Sequence, residues 1–321
     1  MQTSPPGNPP LVEPEMEAGG AVTSAEASSA SRISPLIWLM PSWVAVVWLV
    51  SRAQWFWNHH ADLQFGWIVL LLCGYLFFEA YEHRPPLVLE WRWPSLALAG
   101  LGLGLILLAQ IFMAALGTIG PSFQAFALGT LLLVAANLQQ AFGWRGVRHF
   151  MFPFAFILTA IPLPLNVYQP IVQGLQSFVT SMTIQALGLT GVPAHQVGSL
   201  IHLPNCTVGV DEACSGIRSL QSTVMATMFI GYLTLKRNGL RALLLVAGVA
   251  LAIVGNLARS FILSRIAYGR GIAALERFHD TAGWSILFFT VAGVGLIAWS
   301  IARLEKVVGE EMMRKAERGK A

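Results

Sequence analysis

The chain has 321 residues, 55% of them hydrophobic and only 11% charged, with a mean hydropathy of +0.62. Soluble domains carry about 25% charged residues, so this composition excludes a water-soluble globular protein and predicts an all-α polytopic membrane protein. The net charge of +4 does not call for nucleic acid, because the basic residues follow a topological pattern described below.

Residues 1–34 are rich in Pro, Ser, Ala, Gly and Glu, lack an apolar pattern and read as a disordered cytoplasmic tail. A membrane helix needs about 20 mostly apolar residues. About eight stretches meet this, at 35–51, 65–81, 95–116, 124–143, 150–166, 216–235, 242–262 and 282–302. They define a transmembrane domain over 35–302, followed by a basic cytoplasmic tail over 303–321. Pro41 is expected to kink the first span, and Pro153, Pro162 and Pro164 make the fifth the least regular. Eleven tryptophans and eighteen phenylalanines supply interfacial belts and lipid-facing surface.

With the N-terminus inside, fourteen Lys and Arg fall on the inner side, among them Arg84, Arg92, Arg145, Arg148, Lys236, Arg237, Arg241 and Arg303. Four, Arg52, Arg265, Arg270 and Arg277, fall outside, and Arg218 and Arg259 lie within helices. The positive-inside rule therefore predicts both termini in the cytoplasm. The longest outer segment, 166–213, contains no Lys or Arg. Its first half places Ile171, Leu175, Phe178 and Met182 on one helical face, with Gln169, Gln173, Gln176 and Thr180 largely on the other. That is an uncharged amphipathic helix before the sixth span, suited to the interface or to covering a cavity. A ninth span here would put the Lys236–Arg241 cluster outside, which counts against it. Pro193, Gly198 and Pro204 then predict turns with a short strand or two.

The chemistry-bearing residues concentrate where outer helix ends are predicted. In Asp211-Glu212-Ala213-Cys214-Ser215-Gly216-Ile217-Arg218-Ser219, Cys214 or Ser215 can cap the sixth helix. Free N–H groups and a partial positive charge there favour a thiolate. Arg218, four residues on, can support that thiolate or pair with Glu212 or Asp211. Ser215 is a rival nucleophile, but no GxSxG elbow surrounds it. Arg259 stands near the outer end of the seventh helix, and Asn256, three residues before it, shares its face. A fixed guanidinium can stabilise charge developing on a carbonyl oxygen. His279 is expected to open the last helix, capped by Asp280 or Thr281. Taken singly, these residues also fit a buried thiol, a snorkelling arginine and an interfacial histidine. Together a thiol, an imidazole and a guanidinium are the groups that cysteine acyl transfer needs. Cys73 reads as packing. Cys206 reads as a buried loop thiol or as a disulfide partner for Cys214. The three cysteines form no zinc pattern and no phosphate loop is present, so no cofactor or metal is expected.

The run Glu212-Ala213-Cys214-Ser215-Gly216-Ile217-Arg218-Ser219-Leu220, followed by Asn256-Leu257-Ala258-Arg259 and His279-Asp280-Thr281-Ala282-Gly283, resembles the exosortase/archaeosortase family in motif and in order. The resemblance spans Val210 to Gly283, with similar hydropathy upstream. It implies a membrane cysteine transpeptidase in which Cys214 is the nucleophile, His279 the acid/base and Arg259 the oxyanion stabiliser, with Arg218, Asn256, Glu212 and Ser215 in support. It further implies substrates that are secreted proteins ending in a sorting signal of the Pro-Glu-Pro type, an apolar helix and a basic tail. The processed protein would pass to an acceptor nucleophile outside a bacterial inner membrane. A scaffold or transporter component of exopolysaccharide export is the alternative. A transporter predicts midplane charge pairs and repeated halves, and neither is visible.

Overall fold

The computed structural model describes residues 35–60, 63–89, 92–117, 120–209 and 217–318. After a helical turn at Pro35–Trp38, the chain forms α1 (Met40–His59), α2 (Gly66–Glu82), α3 (Trp93–Leu116) and α4 (Gly120–Ala155), the last continued by a 3-10 turn, Phe156–Ala160. Then come α5 (Leu165–Leu189), β1 (His195–Val197), β2 (Leu200–His202), β3 (Thr207–Gly209), α6 (Ile217–Thr234), α7 (Asn238–Arg270) and α8 (Ile272–Arg318). Among the described residues four runs are long and apolar enough to cross a membrane: Trp93–Leu116, Gly120–Ala160, Asn238–Arg270 and Ile272–Arg314. The chain is thus a helical, multi-pass membrane protein.

The fourth and fifth expected spans are the two legs of α4, which meet at Gly143, whose φ of 67° and ψ of −167° are not helical. Only glycine adopts such a conformation without strain. The chain doubles back there. Gln124 Nε2 donates to Pro162 O at 2.9 Å, and Gly120 lies against the Leu163 carbonyl. Trp57 Nε1 donates to Ala160 O at 2.9 Å, so the C-terminal end of α1 shares this end of the molecule. At the opposite end Ser42 Oγ donates to Asn137 Oδ1 at 2.6 Å, and His149 Nε2 contacts Ala80 O at 2.7 Å.

Several helix limits differ from the sequence reading. Helix α1 runs to His59, so Arg52 lies within a helix and not in an outer loop. Its polar neighbours Ser51, Gln54, Asn58 and His59 hide that turn from a hydropathy window. The stretch 262–282, expected as a loop, is helix except at Gly271, whose φ of 83° permits a tight reversal between α7 and α8. Residues 303–318 of the expected tail continue α8.

The amphipathic segment is helix α5. Val172, Val179, Thr180, Thr183 and Leu187 are its buried residues, whereas Ile171 and Phe178 are exposed. The face with Ile171 and Phe178 is therefore the outer one, because in a membrane protein apolar residues serve both lipid and protein contacts. The three strands form an antiparallel sheet in the order β1-β2-β3, with His195 opposite His202 and Ile201 opposite Val208. Val179, Leu187, Val192, Ile201, Leu203 and Ala267 form one apolar cluster. It fastens α5 and the sheet to the far end of α7.

Candidate active site

Helices α6, α7 and α8 contact one another closely, and glycines set their spacing. A Cβ on Gly255 of α7 would meet Ile286 Cγ2 at 2.9 Å and Thr290 Oγ1 at 3.3 Å. A Cβ on Gly283 of α8 would lie 3.3 Å from Arg259 Nη2 and 3.5 Å from Cζ. Gly283 is thus the floor on which the Arg259 guanidinium rests. His279 is one turn earlier on the same face, and this brings guanidinium and imidazole together.

Arg259 Nη2 stands 3.1 Å from His279 Nε2. A guanidinium has donors only, so Nε2 accepts. In the neutral ring the proton is then on Nδ1, which donates to Asp280 Oδ1 at 3.2 Å. The tautomer follows from the partners. The His279 side chain is 29% exposed and that of Asp280 92%, so the imidazole has one sheltered edge and one edge toward water.

The pair lies on a cavity of about 250 Å³. Helix α6 supplies Arg218, Ser219 and Ser222 to its wall, and α8 supplies Trp284 and Leu287. A smaller cavity on the other side is lined by Val208 and Gly209 from β3, with Ser260, Arg259 and His279. Thr183 Oγ1 donates to Ser260 Oγ at 3.0 Å, tying α5 to α7 beside Arg259. Asn256 is buried one turn before Arg259. Among the described residues no group of three or more His, Cys, Asp or Glu converges. With two guanidiniums, the donors of the main cavity suit an anionic or polarised oxygen.

Of the residues singled out in the sequence, Arg259, His279 and Arg218 therefore share one cavity, and Asn256 is adjacent. Cys214, Ser215 and Glu212 lie outside the described residues. The residues that bracket them, Gly209 and Ile217-Arg218, are described, and Gly209 and Arg218 each line a cavity shared with Arg259 and His279.

One expectation is corrected. His279 does not open a helix, because α8 begins at Ile272. Gly271 makes the break, and Asp280 is a partner of the imidazole and not a cap. Sequence reasoning also passed over Gly283 as a floor for Arg259. Its signal was the four-residue spacing from His279. Cys206 precedes β3 and packs beside the apolar cluster, where burial pushes its thiol pKa up.

A family model described as transmembrane exosortase (Exosortase_EpsH) matches residues 57–298, a range that includes every residue of this site. No curated protein and no solved structure matches the chain.

Proposed function

The chain belongs to the transmembrane exosortase family, and from that premise we propose that it is a membrane-embedded cysteine transpeptidase. Its substrates are secreted proteins with a C-terminal sorting signal of the PEP-CTERM type, an apolar helix and a basic tail. The observation that carries this reading is the Arg259–His279 contact in a cavity walled by the first turn of α6. Cys214 is four residues before Arg218 in the chain, so covalent continuity keeps it within about 14 Å of that wall.

In the proposed reaction the Arg259–His279 hydrogen bond opens, the Cys214 sulfur attacks the scissile carbonyl carbon and its proton passes to the freed Nε2 of His279. The carbonyl π electrons move to oxygen, where Arg259 opposes the charge. The N–H that Arg259 gave to Nε2 in the resting site is thereby released to the oxyanion. The C–N bond then breaks, the departing amine takes the proton from His279, and a thioester remains on Cys214. An external nucleophile, deprotonated by His279, attacks the thioester carbonyl and releases the thiol. Asp280 accepts from Nδ1–H and keeps the ring oriented between these steps.

The reading includes eight crossings, counting the two legs of α4 separately, with both termini cytoplasmic. Arg259 is about 21 residues along α7 from its start at Asn238. At 1.5 Å per residue that is about 32 Å, one hydrocarbon thickness. If Lys236, Arg237 and Arg241 mark the cytoplasmic face, Arg259 reaches the outer one, in a bacterial inner membrane the periplasmic side. A reporter fused after Lys236 should behave as cytoplasmic and one inserted near Gly198 as external.

The functional test is size-shift of a co-expressed substrate bearing a Pro-Glu-Pro tail. Wild type should process it and Cys214→Ala should not, while still accumulating in the membrane. Full processing by Cys214→Ala would replace this reading with a scaffold of an export assembly.

A further inference from the structure

A second polar cavity lies at the opposite end of the molecule from Arg259. Its volume is about 410 Å³, and its wall includes Glu79 of α2 and His83 just after it, Arg148 and His149 of the second leg of α4, Tyr232 of α6 and Arg241 of α7. It has no place in the proposed reaction, yet it gathers charge of both signs.

The arrangement of those charges is informative. Arg241 is fixed from three sides: Nε donates to Leu235 O at 3.0 Å, Nη2 to Tyr232 O at 3.2 Å and Nη1 to Asn238 Oδ1 at 3.4 Å. Its guanidinium carbon also lies 4.9 Å from the Tyr232 ring centroid. His149 is held by Ala80 O. Glu79, half-buried one turn from the end of α2, forms no salt bridge with Arg148 or Arg241, although all three line the same cavity. Opposite charges near a membrane attract strongly enough to close on one another unless the fold holds them apart. Here the three groups come from α2, α4 and α7 and line a cavity of about 410 Å³.

We infer that this cavity binds the headgroup of a zwitterionic phospholipid, with Arg148 and Arg241 on the phosphate and Glu79 on the ammonium. Arginine matches phosphate geometry and a carboxylate matches an ammonium point charge. Basic pockets between membrane helices take lipid headgroups, and the carboxylate adds selectivity for an ammonium over a purely anionic head. A lipid is the source because the neighbouring surface is apolar. Tyr75 and Phe78 of α2 are exposed beside Glu79, as is Leu233, which lines the cavity. Acyl chains can run along that surface while the head sits among the charges.

The experiment uses the full chain purified in detergent and titrated with phosphatidylethanolamine, phosphatidylglycerol or soluble phosphoethanolamine, followed by the shift in thermal unfolding. Phosphatidylethanolamine should raise the melting temperature at the lowest concentration. Soluble phosphoethanolamine should be far weaker, because it lacks chains. Arg148→Ala, an exposed position that the fold should tolerate, should remove the response to both lipids. Glu79→Gln should keep the response to phosphatidylglycerol and weaken that to phosphatidylethanolamine about five-fold, the scale of one partly exposed ion pair. Equal responses to the two lipids in wild type would overturn the inference. So would a lipid preference unchanged in both variants, or full stabilisation by soluble phosphoethanolamine, which would make the ligand a free metabolite. Native mass spectrometry of each variant reads retained lipid directly and does not depend on unfolding behaviour.

Discussion

In the α1–α4 half, Trp43 meets Phe77 edge-on at 4.7 Å, Phe77 stacks with Phe150 at 5.7 Å, and Phe56 packs on Phe123 at 4.8 Å. In the α6–α8 half the contacts are glycine and hydroxyl. Gly248 approaches Thr227 and Val294, Gly293 receives Leu251, and Thr223 and Thr227 return their hydroxyls to their own helix. Two-thirds of the most apolar stretch of α4 is buried, against less than a quarter for α7, for α8 and for α3 of the first half. Interlocked aromatic rings make a densely packed, rigid body. Small residues let backbones approach and leave space for charged side chains to converge. The first half is built as a support, and the second carries the Arg259–His279 pair.

This contrast can be broken at specific residues. The largest effect is expected from Arg259→Lys, which keeps the charge and loses the planar fork. Loss of an oxyanion donor costs roughly 100- to 1000-fold in rate, so processing of the Pro-Glu-Pro substrate should fall to traces while membrane accumulation is unchanged. Gly283→Val should approach the same loss by a different route, because its side chain occupies the floor under the guanidinium. Gly295→Val, where an added Cβ meets nothing, is the control and should process substrate normally.

The reverse experiment belongs to the aromatic half. A Cβ on Gly129 would stand 2.7 Å from Ile106 Cγ1 and 2.8 Å from Gly102 O. Gly129→Val should therefore destabilise by about 1–3 kcal/mol, as overpacking does. The measurement is thermal unfolding in detergent, and activity per folded molecule should survive. A specific loss of chemistry without loss of stability would erase the division between support and site.

Smaller effects sharpen the site itself. Asp280→Asn removes an exposed charge beside His279 Nδ1 and keeps an amide oxygen that can accept from it, so processing should fall by no more than about five-fold, with His279→Ala far more damaging. Cys206 offers a pH test. Its pKa is raised by burial, so the thiolate fraction at neutral pH is below that of an ordinary cysteine. Alkylation of Cys206 in a Cys214→Ala background should accelerate only at pH values above those that activate a free thiol. If Cys206 and Cys214 pair under oxidation, Cys206→Ser should abolish reversible protection of Cys214 from labelling.

Composition sufficed for the helical membrane class, and charge placement separated Lys236–Arg241 from Arg259, which lies about 21 residues into α7 although the helix runs on past the expected end to Arg270. Order and spacing also marked Arg259, His279 and Arg218, which do share a cavity. What escaped the sequence follows from tertiary geometry. Hydropathy could not see that Arg52 belongs to a helix, because polar residues crowd that turn. Nor could it see that α8 starts seven residues before His279. Which face of α5 meets protein stayed open because lipid and protein select the same residue types. Gly283 stood in the motif, but its role depends on a guanidinium from another helix.

The central claim is acyl transfer through Cys214, and the most direct measurement is the mass of the Cys214 peptide after acid quench of enzyme turning over substrate. The account predicts a thioester adduct carrying the processed C-terminus of the substrate on that peptide. It should accumulate when the acceptor is withheld and be absent in Cys214→Ala. Processed substrate with no adduct, or an adduct on Ser215, would contradict it.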